Sequence, residues 1–258
     1  MEGGVPEVLV VIPARQDSSR FPGKPLAAVA GRPMIQHVVE RSRAARLVSR
    51  VVVATDDAGI RKAVESFGGE AMLTRADHRN GTERAAEVAA RLKAEIYLDV
   101  QGDWLIEPAT VDALVSAMLE DPAVQVATPC AAITQVNDIM NPHIVKVARD
   151  FEGNALYFSR APIPWVREAG PADAPRHWKH YGLYAFRREA LLEYPALPPG
   201  ELERMEQLEQ LRWLENGFRI GVVETEYEAV SVDVPGDIER AEKFLAGRAS
   251  SASRRSAG

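Results

Sequence analysis

Residues 10–25 read V-V-I-P-A-R-Q-D-S-S-R-F-P-G-K-P. The apolar run from Val8 to Ile12 has the composition of a buried strand, and Pro13 stops it. The loop that follows packs Arg15, Arg20 and Lys24 around Ser18, Ser19 and Gly23. At the carboxyl end of a strand, backbone N–H groups, hydroxyls and cations converging in this way suit a polyphosphate. The loop is neither G-x-x-x-x-G-K-[ST] nor G-x-G-x-x-G, so it belongs to neither of the common phosphate-binding motifs. The competing reading is an ordinary solvated loop between a strand and a helix; three cations with a glycine beside the lysine favour the phosphate.

Working outward, strands and helices alternate. Met34 to Val48 carries apolar residues at helical spacing, Arg50 to Ala54 reads as a strand, and Ala58 to Phe67 as a helix stopped by Gly68-Gly69. Glu70 to Thr74 is the next expected strand. A helix capped by Thr82 runs to Lys93, Ile96 to Val100 is a strand, and a helix runs from Pro108 to Glu120. This alternation predicts an α/β fold with a mostly parallel, Rossmann-like central sheet, whose ligands lie outside the carboxyl ends of the strands. Beyond Val126 the rhythm changes. His143–Ala148, Ala155–Phe158 and His180–Phe186 read as strands without intervening helices, an inserted antiparallel subdomain over about residues 140–186. Glu201 to Asn216 reads as one helix with Leu202, Met205, Leu208, Leu211 and Leu214 inward. Strands near Phe218–Val223 and Ala229–Val232 and a helix from Pro235 to Leu245 close a single domain over residues 1–246. The small polar run 247–258 is expected to be disordered.

The 258 residues suffice for a substantial core, and a formal net charge of −6 argues against a general nucleic-acid partner. A single cysteine, Cys130, excludes an internal disulfide framework and suits a reducing compartment. With no long apolar stretch and no signal-peptide pattern, the expectation is a cytoplasmic protein without a membrane partner.

Two strand-end carboxylates accompany the cationic loop. Val100-Gln101-Gly102-Asp103 ends one strand, and Val232-Asp233-Val234-Pro235 repeats the device near the C-terminus. Each aspartate alone also reads as a structural residue, and Asp233 as a helix cap. Together with the loop they make the donor set of an Mg²⁺-nucleotide site, because Mg²⁺ takes a couple of carboxylates and completes its shell with phosphate oxygens and water. Arg75-Ala76-Asp77-His78 and Gly81-Thr82-Glu83-Arg84 flank a turn-rich loop that can meet a base edge, or be a capped loop with Glu83 and Arg84 solvated. Arg160 at a strand end has the shape of a carboxylate clamp. Glu206 to Arg212, E-Q-L-E-Q-L-R, reads by itself as a solvated helix face.

In order along the chain, I-P-A-R, S-S-R-F-P-G-K-P-L, G-R-P-M-I-Q-H-V, V-V-A-T-D, T-R-A-D-H, G-T-E-R, V-Q-G-D, A-L-Y-F-S-R-A-P-I-P-W, H-x-G-L-Y and L-E-Q-L-R span about Val8 to Leu245. This series resembles the 3-deoxy-manno-octulosonate cytidylyltransferases, the CMP-Kdo synthetases. The resemblance implies a sugar-nucleotide transferase fold, a homodimer, and Mg²⁺-dependent transfer of CMP from CTP to an acid with release of pyrophosphate, in the service of lipopolysaccharide. It places Ala14, Arg15, Ser19, Lys24, Arg75, Gly81 and Gln101 at the nucleotide, with Arg15 and Lys24 on the triphosphate. It puts Asp103 and Asp233 on the metal, and Gln101, Tyr157, Arg160, His180, Tyr184, Glu209 and Gln210 around the acid.

One departure stands out. The family continues Q-G-D with an acidic residue and proline; here Trp104 and Leu105 follow. An apolar ring in place of a charge implies a reshaped acid pocket, and it leaves open the same CTP chemistry on a small phosphonate such as phosphonoformate. A non-catalytic nucleotide-binding protein on the same scaffold is the alternative of another class.

Overall fold

The structure, a computed structural model, describes residues 7–16, 21–167, 177–227 and 229–255, the stretch 248–255 by its backbone only. Its strands are β1 (Val8–Ala14), β2 (Ala28–Val29), β3 (Arg32–Pro33), β4 (Arg50–Thr55), β5 (Glu70–Leu73), β6 (Ile96–Val100) and β7 (Trp104–Leu105). They continue with β8 (Val126–Ala132), β9 (Lys146–Arg149), β10 (Ala155–Ser159), β11 (Trp178–His180), β12 (Leu183–Arg187), β13 (Ile220–Glu224) and β14 (Val230–Ser231). The helices are α1 (Met34–Arg43), α2 (Ala58–Ser66), α3 (Gly81–Arg91), α4 (Pro108–Glu120), α5 (Val136–Met140), α6 (Arg188–Glu193), α7 (Glu201–Glu206), α8 (Leu211–Glu215) and α9 (Ile238–Arg255).

One sheet in the order β10-β9-β11-β8-β12-β6-β1-β4-β5, with β13 joined to β8, organises the molecule. The half built on β1 is parallel: β1 pairs with β4 and β6, and β4 with β5. The central strands β1, β4 and β6 are covered on both faces and so are largely apolar rather than alternating. Val8, Val10 and Ile12 pack into the layer that holds α1 and α4, while Leu9 and Val11 pack against α3. Asp57 accepts a hydrogen bond from the Ile60 N–H at 2.7 Å and so starts α2.

The sequence expectations fail at five places. The strands expected to form an inserted subdomain extend the central sheet instead, because β12 pairs antiparallel with both β6 and β8. The strand expected over His180–Phe186 is two, β11 and β12, interrupted at Tyr181-Gly182. Asn80, not Thr82, caps α3, accepting from the Glu83 N–H at 2.9 Å; that frees the Thr82 hydroxyl for the interior. The helix expected over Glu201–Asn216 breaks where Gln207 adopts a left-handed backbone at φ 54°, leaving Leu202 and Met205 exposed. The C-terminal helix runs to Arg255, past the disorder expected from Gly247, since only that one glycine interrupts a stretch of serine, alanine and arginine. Among the described residues no helix is long and apolar enough to cross a membrane.

The break after α7 is held by packing. Trp213 is fully buried, with its ring centroid 4.3 Å from that of Tyr194 and 5.0 Å from that of Phe186. Arg212 forms a two-point ion pair with Glu203 at 2.5 and 2.7 Å, tying α8 back to α7. Truncation of so large a buried ring leaves a cavity, so Trp213→Ala should lower the unfolding free energy by about 3–5 kcal/mol. A urea titration checks this, and a loss below about 1 kcal/mol would contradict the packing described.

Candidate active site

The loop after β1 is shaped by Gly23, whose φ of 74° lies in the region that glycine enters without strain. The Gly23 N–H donates to the Gln16 carbonyl at 3.1 Å, and the next residue, Lys24, turns inward and is 8% exposed. Its ammonium contacts the Asp103 carboxylate directly and lies 3.8 Å from Asp233 Oδ1. The two aspartates meet because β7 and β14, short strands adjoining each of them, pair antiparallel, with Leu105 opposite Val230. The Val232 N–H also donates to the Asp103 carbonyl at 3.0 Å. Burial raises the Asp103 carboxyl above its usual range, Lys24 pulls it back, and Asp233 pushes it up again.

Two cavities meet at this cluster. The smaller, about 240 Å³, is lined by Ala14, Arg15, Lys24, Gly81, Gln101 and Asp103 among others. The larger, about 900 Å³, is lined by Gln101, His180, Tyr184, Glu209, Gln210 and Asp233 among others. Gln101 belongs to both. Gly81 makes that possible: a Cβ there would lie 2.6 Å from Gln101 Nε2 and 3.2 Å from Asp99 Oδ2.

The structure thus gathers most of the expected residues and leaves others aside. Ser19 lies outside the described residues. Arg75 is largely exposed, pairs with Asp77 at 3.2 Å and does not line the smaller cavity. Tyr157 lies outside the larger cavity, and burial and the neighbouring Glu206 raise its phenol. Arg160 donates to the carbonyls of Glu206 at 2.9 Å and Pro142 at 3.1 Å, so it frames the cavity rather than lining it. Trp104, the family departure, lines the larger cavity with its ring edge-on to Tyr181 at 6.0 Å.

The turn-rich loop read as able to meet a base edge supplies further lining. His78, Asn80 and Arg84 line the smaller cavity. Of the two readings of its loop, the solvated one fails for Arg84, which is buried: it donates to Thr74 Oγ1 at 2.6 Å and pairs with Asp56 at 3.1 Å, and desolvation lowers its pKa. Glu83 is buried as well, held by Arg79. His180 is pushed down to about 3 by burial and is therefore a neutral ring, its Nε2 2.8 Å from Thr128 Oγ1. Gln210 is 2% exposed, and its side-chain N–H group has no hydrogen-bond partner among the described residues. An unpaired amide at a cavity wall is a donor held ready for a ligand oxygen.

A family model described as Cytidylyltransferase matches residues 9–221. The 3-deoxy-manno-octulosonate cytidylyltransferase of Geobacter sulfurreducens is 50% identical over 242 residues, covering 90% of this chain and 97% of that protein. The protein of the same name from Solibacter usitatus is 50% identical over 240 residues, covering 93% and 94%. The chain belongs to this family of cytidylyltransferases.

As a family member it is a nucleotidyltransferase enzyme, which sets aside the non-catalytic alternative. A solved CMP:2-keto-3-deoxy-manno-octonic acid synthetase complexed with CTP superposes with a TM-score of 0.88 at 43% identity, covering 94% of this chain and 99% of that one. An inositol-1-phosphate CTP transferase from T. maritima reaches a TM-score of 0.63 at 13% identity over 91% and 92%, and shares the fold.

Burial raises Glu209 from 4.5 to about 7. Folded Glu209 keeps its proton to higher pH than the unfolded chain does. The stability it lends is therefore complete below its ordinary value and is lost as pH rises through 7. Glu209→Gln, which cannot ionise, should melt above the wild type at pH 8, the gap closing toward pH 5. Thermal melts at the two pH values check this, and a gap that does not depend on pH would contradict it.

Proposed function

We propose that this cytidylyltransferase transfers CMP from CTP to 3-deoxy-manno-octulosonate, releasing pyrophosphate, with Mg²⁺ as its metal. The observation that carries the reading is the meeting of two cavities at Lys24, Asp103 and Asp233: the smaller is lined by Arg15, Lys24 and Arg84, cations for a triphosphate, and the larger by polar donors and acceptors of both charged and neutral kinds, suited to a polyhydroxylated acid. The family's solved synthetase with CTP supports the nucleotide, and the names of the relatives support the acid. Neither favours the phosphonate alternative. The larger cavity, at about 900 Å³, is also far roomier than a small phosphonate needs.

The donor set fits a divalent cation. Asp103 and Asp233 already converge on a positive charge, the Lys24 ammonium, and both offer hard oxygen. Among the described residues no group of three or more His, Cys, Asp or Glu side chains could hold a metal ion, so the proposed site offers two carboxylates, with phosphate oxygens and water to complete the shell. When bound, Mg²⁺ would neutralise phosphate charge and acidify a coordinated hydroxyl.

The chain's own residues supply position and charge. Arg15 and Lys24 hold the triphosphate and offset the charge that grows on the leaving pyrophosphate. Gln101, at the wall common to both cavities, meets both substrates. His180, Tyr184 and Gln210 orient the acid so that its hydroxyl oxygen faces the α-phosphorus. A new bond forms between that oxygen and the α-phosphorus, the bond from the α-phosphorus to the β-phosphate oxygen breaks in line so that pyrophosphate leaves, and the hydroxyl proton passes to solvent water. Holding two reactants at this distance supplies most of what phosphoryl-group chemistry asks of a protein. Trp104 lends the acid cavity an apolar wall, so the departure from the family falls on the acid side and leaves the nucleotide side intact. The homodimer implied by the resemblance belongs to the same proposal; the exposed apolar side chains of Met140, Leu156 and Trp165 supply surface for it.

A pyrophosphate-release assay with CTP, Mg²⁺ and a panel of acids should give turnover with 3-deoxy-manno-octulosonate, none with phosphonoformate, and none when ATP or GTP replaces CTP. Asp103→Asn should lower kcat on the order of a hundredfold or more with the melting transition unmoved. Full activity in that variant would refute the role given to Asp103.

A further inference from the structure

Asp99 is a carboxylic acid in the middle of an otherwise apolar strand, I-Y-L-D-V, and is fully buried. It lines neither cavity. Gln101 Nε2 donates to Asp99 Oδ1 at 2.9 Å. On the other side, Thr82 Oγ1 lies 3.5 Å from Asp99 Oδ2 and 3.2 Å from Glu209 Oε1. A hydrogen-bonded chain therefore runs from Glu209, at the wall of the larger cavity, through Thr82 and Asp99 to Gln101, at the wall of both.

Proton counting constrains this chain. The Thr82 hydroxyl owns one proton and stands between two carboxyl groups, so it donates to one and must accept from the other. The accepting arrangement requires a carboxyl group that keeps its proton. The shorter contact, to Glu209 at 3.2 Å, takes the Thr82 proton, which leaves Asp99 as the carboxyl group that donates to Thr82, and burial favours that protonated form of Asp99. Asp103 and Tyr184 are the other titratable groups close by; Asp103 raises Asp99 further, and Tyr184 is itself held neutral by burial. A protonated Asp99 offers Gln101 a carbonyl oxygen and Thr82 a donor, the two functions that an asparagine in the same place would offer. The absence of a side chain at Gly81 keeps open the space this pair occupies.

We propose that Asp99 is a positioning residue for transfer: it fixes the amide of Gln101 at the wall between the two substrate cavities and links it, through Thr82, to Glu209. The inference rests on the proposed function, and it adds a residue that touches neither substrate. Losing Asp99 lets Gln101 rotate away from both substrates, whereas replacing it with an isosteric amide does not.

The test is a double-mutant cycle on kcat/KM for the acid at saturating CTP, with melting transitions recorded throughout. Asp99→Ala should lose on the order of tenfold, and the same change made in a Gln101→Ala background should add less than about twofold. Asp99→Asn should stay within about threefold of the wild type, a rescue that a need for negative charge would forbid. Should Asp99→Ala fail to fold, Thr82→Val cuts the same chain one bond further on and should also lose on the order of tenfold. Additive losses, an Asp99→Asn as damaged as Asp99→Ala, or an unaffected Thr82→Val would overturn the inference. A wild type that releases no pyrophosphate with any acid would overturn this inference together with the proposed function. An active wild type with additive variants would overturn this inference alone.

Discussion

The contact of the Lys24 ammonium with Asp103, and its approach to Asp233, ties together three parts of the chain that share no secondary structure. Lys24 comes from the loop after β1, Asp103 from the end of β6, and Asp233 from the end of β14. Two carboxylates this close would repel if left alone, and a lysine this buried would be costly without partners. A buried ionic cluster of this kind adds little net stability, because desolvation consumes most of its Coulomb gain. Under the proposed function its value lies elsewhere: it would keep a cation and two hard anionic ligands at one point, to exchange partners when a triphosphate and its metal arrive.

The cavities on either side differ in chemistry as their ligands would. On the nucleotide side the walls come from the parallel half of the sheet, where Gly81 and the loop after β1 bring backbone and cations close. On the acid side they come from the antiparallel half and from the break between α7 and α8, with His180 and Tyr184 both held neutral by burial. Neutral donors and acceptors suit hydroxyl groups, and the unpaired amide of Gln210 fits that pattern. Trp104 forms one wall of the larger cavity, while the Lys24 cluster lies where both cavities meet.

The parallel half was legible in the sequence because β1, β4 and β6 are buried, largely apolar runs and turn and cap residues separate them. Asp57 and Pro108 begin helices where their types predict. The antiparallel half was not, because its pairing is long-range: nothing local tells β12 to enter between β6 and β8. The run of leucines from 202 to 214 suggested one helix, but a single left-handed residue, Gln207, divides it and swings Glu209 inward. Of the site, the cationic loop and both aspartates were readable from residue type and strand-end position. Asp99 was passed over although a lone acid in an apolar strand is the kind of residue that needs a reason. Arg160 reads as a clamp for a ligand, and in the structure three of its five N–H donors go to backbone carbonyls, a pairing that a sequence cannot show.

The most direct test is the position of a bound metal. In crystals of the protein with CTP and Mn²⁺ in place of Mg²⁺, anomalous scattering should put one ion within about 2.2 Å of carboxylate oxygens of both Asp103 and Asp233, with the Lys24 ammonium moved onto the phosphates. An ion bound elsewhere, or a triphosphate that leaves the Lys24 contacts with Asp103 and Asp233 unchanged, would contradict the account.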